Sequence, residues 1–192
     1  MKNVRNATKN QLDYYPTPPS ATYALCEDVL KDFDLKNYSC WEPACGENYM
    51  SDILKKYFKT VRNSDIENYG NNEIIDFLNH KEQNYDWVIT NPPYNLSLEF
   101  ALKSLDSVNV GVSFLVRTAW LESKTRYDNL FSKHPPFRIS QFVQRVQMQK
   151  NTIEKTSGSS TIAYCWITWL KNYTGKTEFT WIEPHVEKFK GR

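Results

Sequence analysis

Apolar residues in this chain fall in short runs separated by polar or proline-rich breakers, and the period of the runs switches between strand-like and helix-like. After a polar and loose stretch over 1–13, Thr17 followed by Pro18 predicts an N-cap and first-turn proline for a helix running to about Phe33. Tyr38 to Trp41 reads as a first strand, and Met50, Ile53, Leu54, Tyr57 and Phe58 recur behind it at helical spacing. Thr60 to Ile66 reads as a second strand with an acid near its end. Trp87 to Thr90 is a short apolar run of the kind a strand buried on both faces requires. Leu98, Ala101, Leu102, Leu105 and Val108 predict an amphipathic helix, Val110 to Arg117 a strand, and Tyr127 to Lys133 a short helix stopped by His134-Pro135-Pro136. Phe137 to Val146 and Thr161 to Leu170 are predicted as two long strands. The polar, basic loop over 147–160 joins them, expected to be mobile and near the substrate side, and Phe179 to Ile182 adds an edge strand.

Composition narrows the class. A hydrophobic share of 40% with 15% aromatic residues excludes a disordered polymer, and 192 residues suit one domain with a sizeable core. No apolar run reaches the ~18–20 residues of a membrane span, and the opening Met1-Lys2-Asn3-Val4-Arg5-Asn6 lacks the apolar centre of a signal peptide. The expectation is a soluble, cytoplasmic protein. Cys26, Cys40, Cys45 and Cys165 form no CxxC pair and no zinc spacing with His80, His134 or His185, so no metal is expected and the thiols should be reduced and packed.

The net charge of +2 conceals an asymmetry. Glu42 to Asp106 holds eleven acids against six bases, whereas Ser123 to Lys155 holds seven bases against two acids. An acidic half beside a basic half suits a cationic ligand and a polyanionic partner. Lys124, Arg126, Arg145, Lys150 and Lys155 are the candidate phosphate contacts, joined by Lys2, Arg5 and Lys9, with solvated surface charge as the alternative.

Three turns carry the candidate chemistry. Asp86-Trp87-Val88-Ile89-Thr90 runs into Asn91-Pro92-Pro93-Tyr94, at the carboxyl end of a strand, where ligands bind in open α/β sheets. Prolines fix φ near ~−65° and remove backbone donors, so this is a stiff loop whose Asn91 amide and Pro92 carbonyl can aim acceptors at a planar NH₂ group. Tyr94 offers a face on which a ring can stack. Glu42-Pro43-Ala44-Cys45-Gly46-Glu47-Asn48 is a strand-to-helix turn in which Gly46 allows close backbone approach to a ligand. Asp65 follows Gly46 by nineteen positions, a spacing at which a strand-end carboxylate can accept both ribose hydroxyls of an adenosine, with Ile66 beside it. An ordinary proline turn, a plain strand-to-helix turn and a helix-capping acid are the structural alternatives.

Asn-Pro-Pro-Tyr after a hydrophobic strand resembles the catalytic motif of class I S-adenosylmethionine-dependent amino-methyltransferases. Within that group the match is to the N6-adenine DNA methyltransferases, the small phage-type members in particular. The segment from Glu42 to Asn48 is similar to that family's cofactor motif, with Asn48 in place of its last glycine. Tyr15, Thr17 and Pro18 match a segment that in the family covers the cofactor's methionine part, and Asp76-Phe77 a pair placed beside its adenine. The resemblance implies a Rossmann-like α/β fold: a mostly parallel seven-stranded sheet, an antiparallel C-terminal strand and helices on both faces. It implies S-adenosylmethionine as cofactor, with contacts from Tyr15, Thr17, Pro18, Glu42, Pro43, Ala44, Cys45, Gly46, Asp65, Ile66, Asp76, Phe77 and Asn91. It implies catalysis at Asn91, Pro92, Pro93 and Tyr94, and DNA, duplex or single-stranded, as substrate. RNA adenine or a protein glutamine, or a non-catalytic binding role, stay open. Asp65 to Asn91 leaves no room for an inserted target-recognition domain, so specificity is expected from loops, a homodimer or another partner.

Overall fold

The structure, a computed structural model, describes residues 14–81, 84–150 and 161–189. Expectations for 1–13, for Lys155 and for most of the 147–160 loop therefore lie outside the described residues. Eight strands form one sheet: β1 (Ser39–Glu42), β2 (Thr60–Asp65), β3 (Glu73–Ile74), β4 (Tyr85–Thr90), β5 (Val108–Arg117), β6 (Arg138–Phe142), β7 (Tyr164–Leu170) and β8 (Glu178–Ile182), in the order β3-β2-β1-β4-β5-β7-β6-β8. β1 to β5 pair in parallel, β7 runs antiparallel between β5 and β6, and β8 pairs in parallel with β6. The edge strand expected at Phe179 to Ile182 is β8, and the strand beyond the seven expected is the two-residue β3 at the opposite edge.

The near-continuous apolar strands follow from two cores, one on each face. On β1, β4, β5 and β7 successive residues alternate between them: Cys40, Trp87, Ile89, Leu115 and Trp166 enter one core, and Trp41, Val88, Phe114, Cys165 and Ile167 the other. α1 (Pro19–Ala24, continued by a wider turn over Leu25–Val29) and α2 (Tyr49–Tyr57) cover the first face. α3 (Ser97–Ser107) and α4 (Lys124–Arg126, continued by a wider turn over Tyr127–Phe131) cover the second. A strand covered on both sides has no polar face to keep, which explains its lack of alternation. Three buried indole N–H groups are tied to neighbouring elements, Trp41 to Ser64 Oγ at 2.9 Å, Trp120 to Ser97 Oγ at 2.7 Å and Trp166 to the Ala21 carbonyl at 3.0 Å. The last bond fastens α1 to β7. α5 (His185–Lys188) closes over α1.

Several boundaries differ from the sequence reading. Thr17 does not cap α1. Pro18 holds the N-cap position with φ −59° and ψ 137°, and no side chain caps the end. A helix capped by Thr17 would need the N–H of its second or third residue, and the second would be Pro19, which has none. The helix also ends at Val29 rather than near Phe33, its last turn closing through a bond from Leu30 N–H to the Leu25 carbonyl at 2.8 Å. β6 and β7 are shorter than predicted, because after Phe142 the chain bends out of the sheet and buries Val146 and Met148 instead. All four cysteines are free and buried. Among the described residues no helix is long and apolar enough to cross a membrane.

Candidate active site

Strand order reverses between β1 and β4: β1 leads outward to β2 and β3, β4 leads the other way to β5. The carboxyl ends of parallel strands at such a switch point diverge and leave a crevice. A cavity occupies it, walled by the turn after β1 (Glu42, Pro43, Ala44, Cys45), the end of β2 (Asp65, Ile66), the loop after β3 (Asp76, Phe77), the turn after β4 (Asn91, Pro92, Pro93, Tyr94) and the segment before α1 (Tyr15, Thr17). Of the sequence-predicted residues, Pro18 and Gly46 do not line the wall: Pro18 is the N-cap of α1, and Gly46 donates its N–H to Asp65 behind it.

The turn after β1 is fixed from three sides. Cys45 N–H donates to the Ser64 carbonyl at 3.0 Å, and Gly46 N–H to Asp65 Oδ2 at 2.9 Å, which ties the turn to β2. Gly46 sits at φ +50°, and a Cβ there would fall 2.3 Å from a ring carbon of Tyr14, so the position admits no side chain. Asn48 adopts the left-handed conformation at φ 71° and ψ 12°, which Asn tolerates better than most residues. Its side chain adds what a glycine could not: Nδ2 donates to the Asn71 carbonyl at 3.1 Å, and Oδ1 accepts from Asn63 Nδ2 at 2.7 Å.

Three acids line this crevice. Glu42 is buried, accepts a short hydrogen bond from Ser51 Oγ, and has its pKa pushed up to about 8, chiefly by burial and further by the nearby Asp65. Burial also raises Asp65, against the backbone N–H groups of Gly46, Glu67 and Ile66. Asp76 is engaged in its own turn, accepting from Leu78 N–H at 3.1 Å and Asn79 Nδ2 at 2.6 Å. Phe77 serves the core as well as the wall, packing 5.0 Å from Trp41 and 4.9 Å from Phe100.

Opposite the glycine turn, Asn91 Nδ2 donates to the Tyr15 carbonyl at 2.9 Å and approaches Met148 Sδ at 3.8 Å. The Asn91 Oδ1 is buried and without a partner among the described residues. No hydrogen bond from those residues reaches the Pro92 carbonyl either. The Tyr94 ring lies 5.3 Å from the Tyr15 ring, with the Arg117 guanidinium 4.0 Å above it, and its hydroxyl meets the Tyr164 hydroxyl at 2.9 Å. Burial and the Tyr164 contact raise the Tyr94 pKa far above the ordinary phenol value, so it stays an uncharged ring.

Sequence reasoning missed Arg117, Tyr164, Met148 and Tyr14. Arg117 carried a usable signal, a lone cation ending an apolar strand at the ligand edge. Tyr164 and Met148 carried none, because only pairing of β7 and the bend after β6 bring them to Tyr94 and Asn91. Of the predicted phosphate contacts, Lys124 pairs with Asp128 at 2.5 Å, and Arg126 lies over the Trp120 ring at 4.9 Å while donating to the Trp120 carbonyl. Among the described residues no three His, Cys, Asp or Glu side chains are grouped to hold a metal.

No family profile matches the chain, and no curated protein sequence matches it significantly. Solved structures do match. A Pyrococcus horikoshii protein proposed to be an RNA methyltransferase superposes with a TM-score of 0.67 at 16% identity, over 89% of this chain and 92% of that one. The methyltransferase subunit of a type I restriction-modification system from Streptococcus thermophilus gives 0.60 at 12% identity, over 85% of this chain and 45% of that one. The magnesium protoporphyrin IX methyltransferase of Synechocystis, with bound S-adenosylmethionine, gives 0.57 at 11% identity, over 80% and 79%. The fold is therefore the Rossmann-like fold of class I methyltransferases, a mixed sheet, mostly parallel, with an antiparallel strand in its C-terminal part.

Proposed function

We propose that this protein transfers the methyl group of S-adenosylmethionine to the exocyclic N6 amine of adenine in DNA. The observation that carries this reading is the Asn91 carboxamide, anchored through its nitrogen while its buried oxygen meets no donor among the described residues. A buried acceptor without a donor costs about 1–3 kcal/mol, and an amine N–H entering the cavity would satisfy it.

The wall suits the cofactor. Glu42 offers a carboxylate for an ammonium group, Asp65 can accept ribose hydroxyls, and Ile66, 55% exposed, offers an apolar face for a purine beside Phe77. Tyr15 and Thr17 stand on the covering side, and Gly46 holds Asp65 in place through its N–H. When bound, S-adenosylmethionine supplies an electrophilic sulfonium methyl. Asn91 Oδ1 and the Pro92 carbonyl accept the two N6 protons and draw them out of the ring plane. This localises the nitrogen lone pair otherwise delocalised into the purine. Attack by that pair on the methyl would leave the S–C electron pair on sulfur and release the excess N6 proton to solvent. Pro93 stiffens the turn, and Tyr94 stacks on the adenine. No strong base is required, and positioning supplies up to about 7–11 kcal/mol of barrier lowering. In a duplex the base must first be flipped out of the stack.

DNA is favoured by the basic 123–155 stretch and by the likeness to a restriction-modification subunit. RNA is the second reading, favoured by the likeness to a proposed RNA methyltransferase. A protein glutamine would present the same planar NH₂ group. Incubation with labelled S-adenosylmethionine and, in parallel, duplex DNA, single-stranded DNA, RNA and cell protein separates these. Label in DNA adenine is expected; label confined to RNA or protein transfers the mechanism to that substrate, and cofactor binding without transfer to any of them refutes it.

A further inference from the structure

β8 forms one edge of the sheet, and its two sides differ. Glu178 N–H donates to the Phe137 carbonyl at 3.0 Å and the Ile182 carbonyl accepts from Val143 N–H at 3.2 Å, so Glu178, Thr180 and Ile182 direct their peptide groups toward β6. The alternating residues of a strand direct theirs the opposite way, which turns the N–H and C=O of Phe179 and Trp181 away from β6, where no strand pairs with them among the described residues. The side chains of the same two residues are bare. Phe179 is 54% and Trp181 66% exposed, their rings 5.0 Å apart and edge to face. They lie on the sheet face that α3 and α4 cover farther in, as their neighbour Ile139 packs on that core. The other face of β8 is closed, with Ile182 buried in the α1 core beside Phe189. Natural edges are blunted by proline, lysine or a bulge. β8 has none of these: its register with β6 is unbroken, and its one charge, Glu178, pairs with Arg138 at 3.0 Å.

We propose that β8 pairs antiparallel with β8 of a second copy of this chain, about a two-fold axis at Thr180. The sequence is self-complementary in that register. Phe179 faces Trp181 of the second copy and exchanges both backbone hydrogen bonds with it, and the aromatic side chains of the four facing residues lie on one face. Cross-strand aromatic pairs of this kind stabilise sheets. Charges do not oppose it: Glu178 faces Ile182 rather than another acid. β8 runs in the direction of β4, so the second copy's β4 points the other way, and the two cavities open on opposite edges of the joined sheet. Each copy keeps its own site, roughly 19 Å from the interface at ~4.8 Å per strand. The dimer is independent of the reaction assigned to the cavity.

Sedimentation across a dilution series tests it, with the wild-type chain expected at twice the monomer mass. Phe179→Lys combined with Trp181→Lys is expected to sediment at monomer mass with cofactor binding unchanged. Should that variant fold poorly, Thr180→Cys supplies a second reading. Thr180 is a facing, non-hydrogen-bonded pair with Cα atoms ~4.5 Å apart, within the ~4.4–6.8 Å that a disulfide spans, so oxidation is expected to give a covalent dimer absent from the wild type. A wild-type monomer at every concentration overturns the proposal, including one whose Phe179 and Trp181 amides resist exchange because its own chain covers the edge. So does a dimer that survives both lysines, or a Thr180→Cys dimer that does not cross-link.

Discussion

The Asn91 carboxamide is held by its nitrogen alone, which orients its oxygen without satisfying it. Replacing it by alanine removes the acceptor and the anchor to Tyr15, but leaves Glu42 and Asp65 in place. Asn91→Ala is expected to lower kcat by about 100- to 1,000-fold, the size of effect seen when one preorganised polar partner of a reacting group is removed. Calorimetric affinity for S-adenosylmethionine should be retained. Asp65→Ala is expected to do the converse, weakening cofactor affinity in the same titration.

Glu42 gives the site a pH dependence whose sign is fixed by its pKa of about 8, above the ordinary carboxylate value. A cation binds the ionised form, so cofactor affinity should rise with pH through about 8, with protons released below it. Titration in two buffers of different ionisation enthalpy measures that release, and Glu42→Gln should abolish it. For the empty protein the sign is opposite: stabilisation by the neutral carboxyl is complete below the unfolded value of 4.5 and is lost as pH rises toward 8.

Among elements, α5 is the one most exposed to acid. Its His185 is buried against the Phe142 ring at 4.7 Å, neither ring nitrogen has a hydrogen-bond partner among the described residues, and burial lowers its pKa to about 4. With a folded value below the unfolded 6.5, its contribution is complete above 6.5 and falls away as pH drops toward 4, about 3 kcal/mol at most. Denaturant unfolding followed from pH 7 to pH 4 should lose stability over that window, and His185→Phe should flatten the loss. The turn after β1 is an element-scale matter too. Asn48→Gly keeps the left-handed backbone but removes the bonds to Asn63 and Asn71, whereas Asn48→Ala removes the bonds and strains the backbone. Cofactor affinity is expected to fall in the order wild type, Asn48→Gly, Asn48→Ala.

Across the whole molecule, the acidic stretch contains the strands that wall the cavity and the basic stretch lies toward the far end of the sheet. Under the proposed nucleic-acid reading, affinity should therefore fall steeply with salt. Arg145→Ala or Lys150→Ala is expected to weaken binding and to reduce the logarithmic salt slope by about 0.9 for each phosphate no longer neutralised. Arg126→Ala is expected to lower the melting temperature, since its guanidinium lies over the Trp120 ring and donates to the Trp120 carbonyl.

The order of elements and the chemistry at three chain reversals were legible in the sequence, because each depends on neighbours in the chain. Gly46 and Asn48 announce a turn with left-handed backbone, Pro92 and Pro93 a rigid one, and an apolar run ending at Asn91 a buried strand meeting a polar corner. Local signals failed where two of them competed, as at Thr17, where the second proline, Pro19, takes the first helical position and Pro18 becomes the N-cap. Which side chains share a wall was settled by the packed molecule alone. β1, β2 and β4 are separated in sequence, and only parallel pairing puts Gly46, Asp65 and Asn91 along one edge. The antiparallel return of β7 likewise sets Tyr164 against Tyr94, and the bend after β6 sets Met148 against Asn91. Those two contacts join residues 70 and 57 positions apart, and no periodicity in a chain encodes a distance that only packing closes.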